Sequence, residues 1–169
     1  MIENLKERIQ EEARCQIINC GYGKTTIRSV AKACNIGVGT MYNYFRSKDE
    51  LISSFMLDDW HKCATKMEGA ASDDIEAFLR TIQEALAEFI LKYKNLFADE
   101  DAIKAFSSVF SKRHTQLRGN IAKIIIRGLE KTEFEDRQFL AEHLAESIIN
   151  WSMEGVPFDK QFSIIQKLI

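Results

Sequence analysis

Proline is almost missing: Pro157 stands alone, and eight glycines serve 169 residues. Helix breakers this sparse exclude a turn-rich all-β chain and favour long helices. No long run alternates apolar and polar side chains with β-branched content, so no sheet is expected. No apolar stretch approaches the ~18 residues that a membrane crossing needs. Charge begins at Glu3, so no secretory leader and no membrane partner are expected, and a cytoplasmic location is. The four cysteines, Cys15, Cys20, Cys34 and Cys63, match no zinc spacing. They are expected as free thiols in a reducing compartment, serving as small buried hydrophobes. Also missing are a phosphate-cradling glycine loop, a nucleophile motif and any metal-ligand spacing. No catalytic residue, metal or cofactor is therefore assigned, and an enzyme is not expected. His61, His114 and His143 are isolated and receive no role.

What is present is an apolar fraction of 46% beside 28% charged residues, enough to fill a core and too apolar for disorder. The fold class is read as all-α. Leu5, Ile9, Ala13 and Ile17 recur every four residues and predict a first helix over about 2–20, stopped by Gly21 and Gly23. Thr25 or Thr26 caps a short second helix carrying Ile27, Val30, Ala31 and Cys34 inward. Asn35 stands where a left-handed residue is needed. A third short helix runs from Gly37 or Val38 to about Tyr44, with Met41 and Phe45 facing the core. Ser47 and Glu50 form a capping box for a fourth helix reaching about Met67. Further helices are expected from Asp73 to Phe97, from Asp99 to about Phe110, from Leu117 to Lys131, and through Leu140–Trp151. The last carries Phe158, Phe162, Ile165 and Leu168 after a break at Gly155–Pro157.

Two helices of about eight residues cannot bury much surface alone. They persist by packing on the first and fourth helices through Val30, Ala31, Cys34, Ile36, Met41 and Phe45. Short helices joined by a tight turn, with a small residue at the crossing, are the layout of a helix-turn-helix, whose second helix enters the DNA major groove. The net charge of −2 does not favour a polyanion partner. Residues 1–51, however, hold eight Lys or Arg against six acids, and the excess of acids lies in the remainder.

The residue identities go further. The run from Thr25 through Asn35 to Leu51, with Gly39-Thr40-x-Tyr42-x-Tyr44-Phe45-x-Ser47-Lys48-x-Glu50-Leu51 and the preceding Gly21-Tyr22-Gly23, strongly resembles the DNA-binding segment of TetR-family regulators. The resemblance covers roughly residues 5–55. It implies a helix-turn-helix domain over 1–47, and a helical ligand-binding and dimerisation domain over 48–169. The implied function is a ligand-responsive regulator, most often a repressor, binding a palindromic operator as a homodimer. On the third helix, Thr40 suits a thymine methyl and Asn43 suits adenine. Tyr42 and Tyr44 carry hydroxyls suited to phosphate oxygens. Gly39 would allow close approach, and Gly37 and Val38 open the helix. Lys48 is implied as a phosphate contact, and Thr26 and Arg28 as further backbone contacts. Gly37, Val38 and Asn43 depart from the family's more usual Ser or Thr, Lys and His, so a shallower salt dependence and a different base preference are expected. The chain is also short for the family.

For the second half, Trp60, Phe89, Phe106 and Phe110 are candidates to line a pocket for a small hydrophobic or aromatic effector of unknown identity. Leu140, Leu144, Ile148, Trp151, Phe158, Phe162 and Ile165 are candidates for a two-fold interface between copies.

Overall fold

A computed structural model describes residues 4–71, 73–131 and 134–169, with the side chains of 107–114 and 131 outside that description. Among the described residues the chain is helical throughout and holds no strand. The helices are α1 (Leu5–Cys20), α2 (Ile27–Ala33), α3 (Val38–Tyr42), α4 (Lys48–Glu68), α5 (Ile75–Phe97), α6 (Glu100–Gly128), α7 (Arg137–Met153) and α8 (Phe158–Ile165). A short 3-10 turn follows α6 at Leu129–Lys131.

The local signals act where the residue types require. Thr26 caps α2, and its side chain and that of Ser29 bond each other's backbone N–H groups reciprocally. Asn35 takes a φ of 54°, the left-handed turn between α2 and α3. The Ser47 hydroxyl accepts the Glu50 N–H at 3.0 Å. The Glu50 carboxylate reaches back one residue further than a standard box, to the Arg46 N–H at 2.7 Å. Gly155 at φ 71° ends α7, and Pro157 opens α8 with its fixed φ.

Two sequence expectations change. The two helices expected over 99–110 and 117–131 are one, α6, running unbroken for 29 residues. The stretch between the two expected helices, 111–116, is polar but holds no proline or glycine to end a helix. Cys15 and Cys20 are exposed, whereas Cys34 and Cys63 are buried as expected. Cys15 falls off the Ile9, Ala13, Ile17 stripe that α1 buries.

The chain divides into two compact units. The first unit holds Met1–His61 and Lys92–Ser107; the second holds Lys62–Leu91 and Ser108–Ile169. The start of α4, the end of α5 and the start of α6 thus belong with the three short N-terminal helices. The physical reason is that α1 has apolar surface left over. Ile9, Ala13 and Ile17 are fully buried in the unit that also buries Leu51, Phe55, Tyr93, Leu96, Ala102 and Phe106.

Within that unit lies a buried ionic cluster. Asp59 of α4 is 7% exposed. It pairs with Arg14 Nε of α1 at 3.2 Å and with Lys92 Nζ of α5 at 2.6 Å. It also accepts the hydroxyl of Tyr93. Tyr93 itself stacks on Phe55 with centroids 6.3 Å apart. Three helices are therefore tied at one carboxylate. Burial by itself would raise the Asp59 carboxyl. The hydrogen bonds from Lys92 and Tyr93 and the charges of Arg14 and Lys92 outweigh it and hold the group below the usual carboxylate range.

The second unit packs Phe78, Leu79, Ile82 and Leu86 of α5 in a core with Ile121, Ile125, Leu129, Leu140, Leu144 and Ile148. Gly128 is required there: a Cβ on it would lie 2.4 Å from the ring of fully buried Phe78. Arg80 joins α5 to α8, pairing with Asp159 at 2.9 Å and lying 4.3 Å over the Phe158 ring.

Two stability outcomes follow. Gly128→Ala should cost about 1–3 kcal/mol by overpacking, and Gly119→Ala, which meets nothing within 4 Å, should cost nothing in the same thermal melts. Asp59→Ala should cost about 3 kcal/mol at neutral pH, because it strands Arg14 and Lys92. A depressed carboxyl stabilises fully above its unfolded value and loses that contribution as pH falls through its folded value. The gap between wild type and Asp59→Asn in urea titrations should therefore narrow below about pH 4.

Candidate nucleic-acid interface

α2 and α3 are short, and their orientation is fixed by contacts rather than by length. Val30, Ala31, Cys34, Met41 and Phe45 are buried. Ser29 Oγ donates to Gln16 Oε1 of α1 at 2.6 Å. Arg8 of α1 donates to the Cys34 carbonyl at 2.8 Å, satisfying the C-terminal end of α2 with a cation, where the helix dipole favours one. Thr25 Oγ1 donates to the Gly21 carbonyl at 2.9 Å, closing the loop before α2.

α3 then has little to bury. Met41 is its one buried residue. Gly39 and Asn43 are exposed, Tyr42 is 54% exposed, and Thr40 and Val38 are half-buried. Tyr44, which as an aromatic residue at a helix end would ordinarily join a core, is 38% exposed. Gly37 opens α3 at φ −71° with no side-chain cap, so no unusual backbone is needed there. A Cβ on Gly39 would meet nothing within 4 Å. This face is therefore free on the chain itself, and its glycine serves no internal packing need.

Thr26 and Arg28 are exposed at the start of α2. The Thr26 oxygen accepts from Ser29 N–H, which leaves its proton available to a phosphate. Lys24, Arg28, Lys32 and Arg46 are exposed, and none makes an ion pair among the described residues. Of these cations only Arg28 had been singled out. Lys24, Lys32 and Arg46 were legible as charges but not as unpaired ones.

Lys48, which the resemblance implies as a phosphate contact, packs on the α1–α2 turn. Its ammonium donates to the Tyr22 carbonyl at 3.0 Å and lies 3.3 Å from the Tyr22 ring centroid. The Tyr22 hydroxyl in turn donates to Asp49 Oδ1 at 2.8 Å. The reason is local: Tyr22 is buried in the α1–α2 turn and offers the first turn of α4 both a π face and an acceptor.

Of the effector-pocket candidates, Phe106 is buried with its ring edge-on to Tyr22, centroids 6.0 Å apart, and so serves the core of the first unit. Trp60 is half-buried in the first unit and Phe89 half-buried in the second. The side chain of Phe110 lies outside the described residues. Leu140, Leu144, Ile148, Phe158 and Ile165, expected between copies, are buried within their own chain, and Trp151 and Phe162 are half-buried. α7 carries apolar residues on more than one face, and its own core takes the stripe that periodicity makes most visible. The exposed stripe is another one: Phe139, His143, Asn150 and Met153, with half-buried Glu146 between them, recur at i, i+4, i+11, i+14 and i+7, and Phe139 and Met153 are each more than half exposed. Ile164 and Leu168 are exposed beyond it.

No group of three or more His, Cys, Asp or Glu among the described residues is arranged to hold a metal ion. No helix among them is long and apolar enough to cross a membrane.

Comparison with known proteins agrees with this geometry. The family model for bacterial regulatory proteins of the tetR family matches residues 9–55. The fatty acid metabolism regulator protein of Bacillus subtilis is 22% identical over 158 residues, covering 82% of this chain and 79% of its own. YhgD of the same species, an uncharacterized HTH-type transcriptional regulator, is 44% identical over 46 residues, 27% of this chain and 24% of its own. Among solved structures, a transcriptional regulator from Aquifex aeolicus has a TM-score of 0.69 at 20% identity, covering 96% of this chain and 99% of its own. The fatty acid degradation regulator FadR from Bacillus halodurans has a TM-score of 0.55 at 20% identity, covering 92% and 88%. The structural likenesses show a shared fold over nearly the whole chain, and the family model falls on the segment that carries the exposed α3. The segment that carries α2 and α3 thus matches the tetR family of bacterial regulatory proteins, and the chain shares its fold with solved transcriptional regulators.

Proposed function

We infer that the protein represses transcription as a homodimer, inserting α3 of each copy into successive major grooves of a palindromic operator, and that a small apolar effector releases it. The observation that carries the DNA-binding part is the exposed, internally unused face of α3. Gly39, Tyr42 and Asn43 face outward while a single residue, Met41, anchors the helix. A five-residue helix gains almost nothing from solvent by itself. An exposed aromatic and amide at this position are better accounted for by a groove-reading role than by stability. Unpaired Lys24, Arg28, Lys32 and Arg46 supply the phosphate attraction that the net charge of the whole chain conceals.

Two copies are needed because one such helix reads only a few base pairs. A two-fold pair spaces its helices by ~34–36 Å, one turn of DNA. The support for pairing is the exposed stripe of Phe139 and Met153 on α7 with Ile164 and Leu168 near α8. A self-complementary two-fold contact would bury it. The effector class rests on lighter support: two relatives are named for fatty acid metabolism or degradation, and α5 is rich in apolar side chains. Palmitate below its aggregation concentration is the first probe, read as weakened DNA binding.

The test of the DNA-binding part uses duplexes selected from a random-sequence library. Thr40→Ala with Asn43→Ala should leave the melting temperature unchanged and lower affinity for the selected duplex by about tenfold or more, at about 1–3 kcal/mol per base contact. Gly39→Ala should be neutral or slightly stabilising, given the open space above it, and should also weaken binding. If the double variant binds the selected duplex like wild type, α3 does not read DNA. For the dimer, Phe139→Glu should yield monomers in sedimentation without loss of helicity, whereas Leu144→Ala should lower stability by about 2–5 kcal/mol.

A further inference from the structure

Tyr22, in the α1–α2 turn, is buried and held at three points. Its hydroxyl donates to Asp49 Oδ1 at 2.8 Å, and its ring stands edge-on to Phe106. Its carbonyl accepts the Thr25 N–H at 3.3 Å. The same carbonyl accepts the Lys48 ammonium at 3.0 Å, and the ring centroid lies 3.3 Å from Lys48 Nζ. The tip of Lys48 is thus seated on a residue that is itself fixed, yet its charge is not used up. An ammonium carries three donors, and one goes to the Tyr22 carbonyl. Lys48 is half-exposed and makes no ion pair among the described residues. Burial outweighs the pull of Asp49, Asp99 and Asp101 and holds the ammonium below the ordinary lysine value. The charge is partly stripped of water with no carboxylate in contact. In the chain, exposed Tyr44 and Arg46 stand between α3 and this residue.

We propose that Tyr22 is a positioning residue for DNA: its ring and carbonyl hold the Lys48 ammonium in place before a phosphate arrives, and the spare donors of Lys48 take the phosphate without leaving that seat. The proposal rests on the DNA-binding reading above and gives a part in it to a buried residue. A lysine on a free stem loses rotamer freedom when it grips a phosphate. Lys48 has lost that freedom on folding, so its grip costs less. The phosphate in turn supplies the counter-charge that the seat lacks. A ring suits this task better than a carboxylate. A cation–π contact holds an ammonium and leaves its charge uncancelled, whereas Asp or Glu in the same place would compete with the phosphate.

The experiment measures affinity for the selected duplex across a salt series, for wild type, Tyr22→Leu, Tyr22→Phe, Lys48→Ala and Tyr22→Leu combined with Lys48→Ala. Lys48→Ala should weaken binding by about threefold to tenfold and flatten the salt dependence by about one counterion. Tyr22→Leu should weaken binding about threefold while Lys48 is present, and should have no further effect once Lys48 is alanine. Tyr22→Phe keeps the ring and the carbonyl and should lose less than Tyr22→Leu. Wild-type affinity in Lys48→Ala or in Tyr22→Leu overturns the proposal. So does an equal loss from Tyr22→Leu with and without Lys48, since Tyr22 would then only build the turn. A measurement on the unaltered protein covers a variant that folds poorly. In its proton NMR spectrum the Tyr22 ring should shift the Lys48 ε-methylene upfield of the other lysines, and the shift should persist with the duplex bound. Its loss on binding means that the lysine leaves the seat, which overturns the proposal while leaving DNA binding by α3 intact. No binding of any duplex by wild type even at low salt overturns both readings together.

Discussion

The reading head depends on α1, and α1 depends on a carboxylate it does not contain. α2 and α3 are too short to be helices alone. They are held by Arg8 and Gln16 on α1 and by the buried set from Val30 to Phe45. α1 is in turn fixed by Arg14, whose guanidinium meets Asp59 beside Lys92 and Tyr93. A buried charge cluster is weak evidence of net stability, because desolvation offsets much of the attraction. It is better evidence of position. A carboxylate with three partners on two other helices constrains how α1, α4 and α5 meet.

That constraint explains why the first compact unit reaches beyond the helix-turn-helix. The end of α5 and the start of α6 supply Lys92, Tyr93 and Phe106, and each touches a residue of α1, the α1–α2 turn or α4. α4, α5 and α6 each contribute residues to both units. A ligand that shifts these helices between two arrangements would change DNA affinity by its differential affinity for the two, and by no more than that.

Much of this was legible from residue types at short range. Thr26, Asn35 and the Ser47–Glu50 pair mark their helix boundaries because capping and left-handed turns are chosen by chemistry within four residues. The exposure of Asn43 and Tyr44 followed from Met41 and Phe45 taking the core positions at helical spacing. Other features were not legible, for reasons of distance and degeneracy. Arg14, Asp59 and Lys92 are separated by more than thirty residues at each step, and nothing local marks them as partners. Lys48 reads as a solvent-facing lysine in a first helical turn, and only the placement of Tyr22 turns it inward. On α7 the stripe of Leu140, Leu144 and Ile148 is the most regular, so periodicity selects it. Periodicity cannot tell a face that seals the chain's own core from one that meets a second copy. α6 was divided in two because the stretch 111–116 carries no apolar stripe, yet it holds no proline or glycine to end a helix.

The central claim is that a symmetric pair of α3 helices enters DNA from one side. Hydroxyl-radical footprinting on a duplex enriched from random sequence tests it most directly, because it maps backbone protection without assuming which bases are read. The account predicts two equivalent protected patches on one face of the duplex, centred about one helical turn apart and related by a two-fold axis. A single unsymmetrical patch, or protection that follows the protein to any sequence with no preferred register, would contradict it.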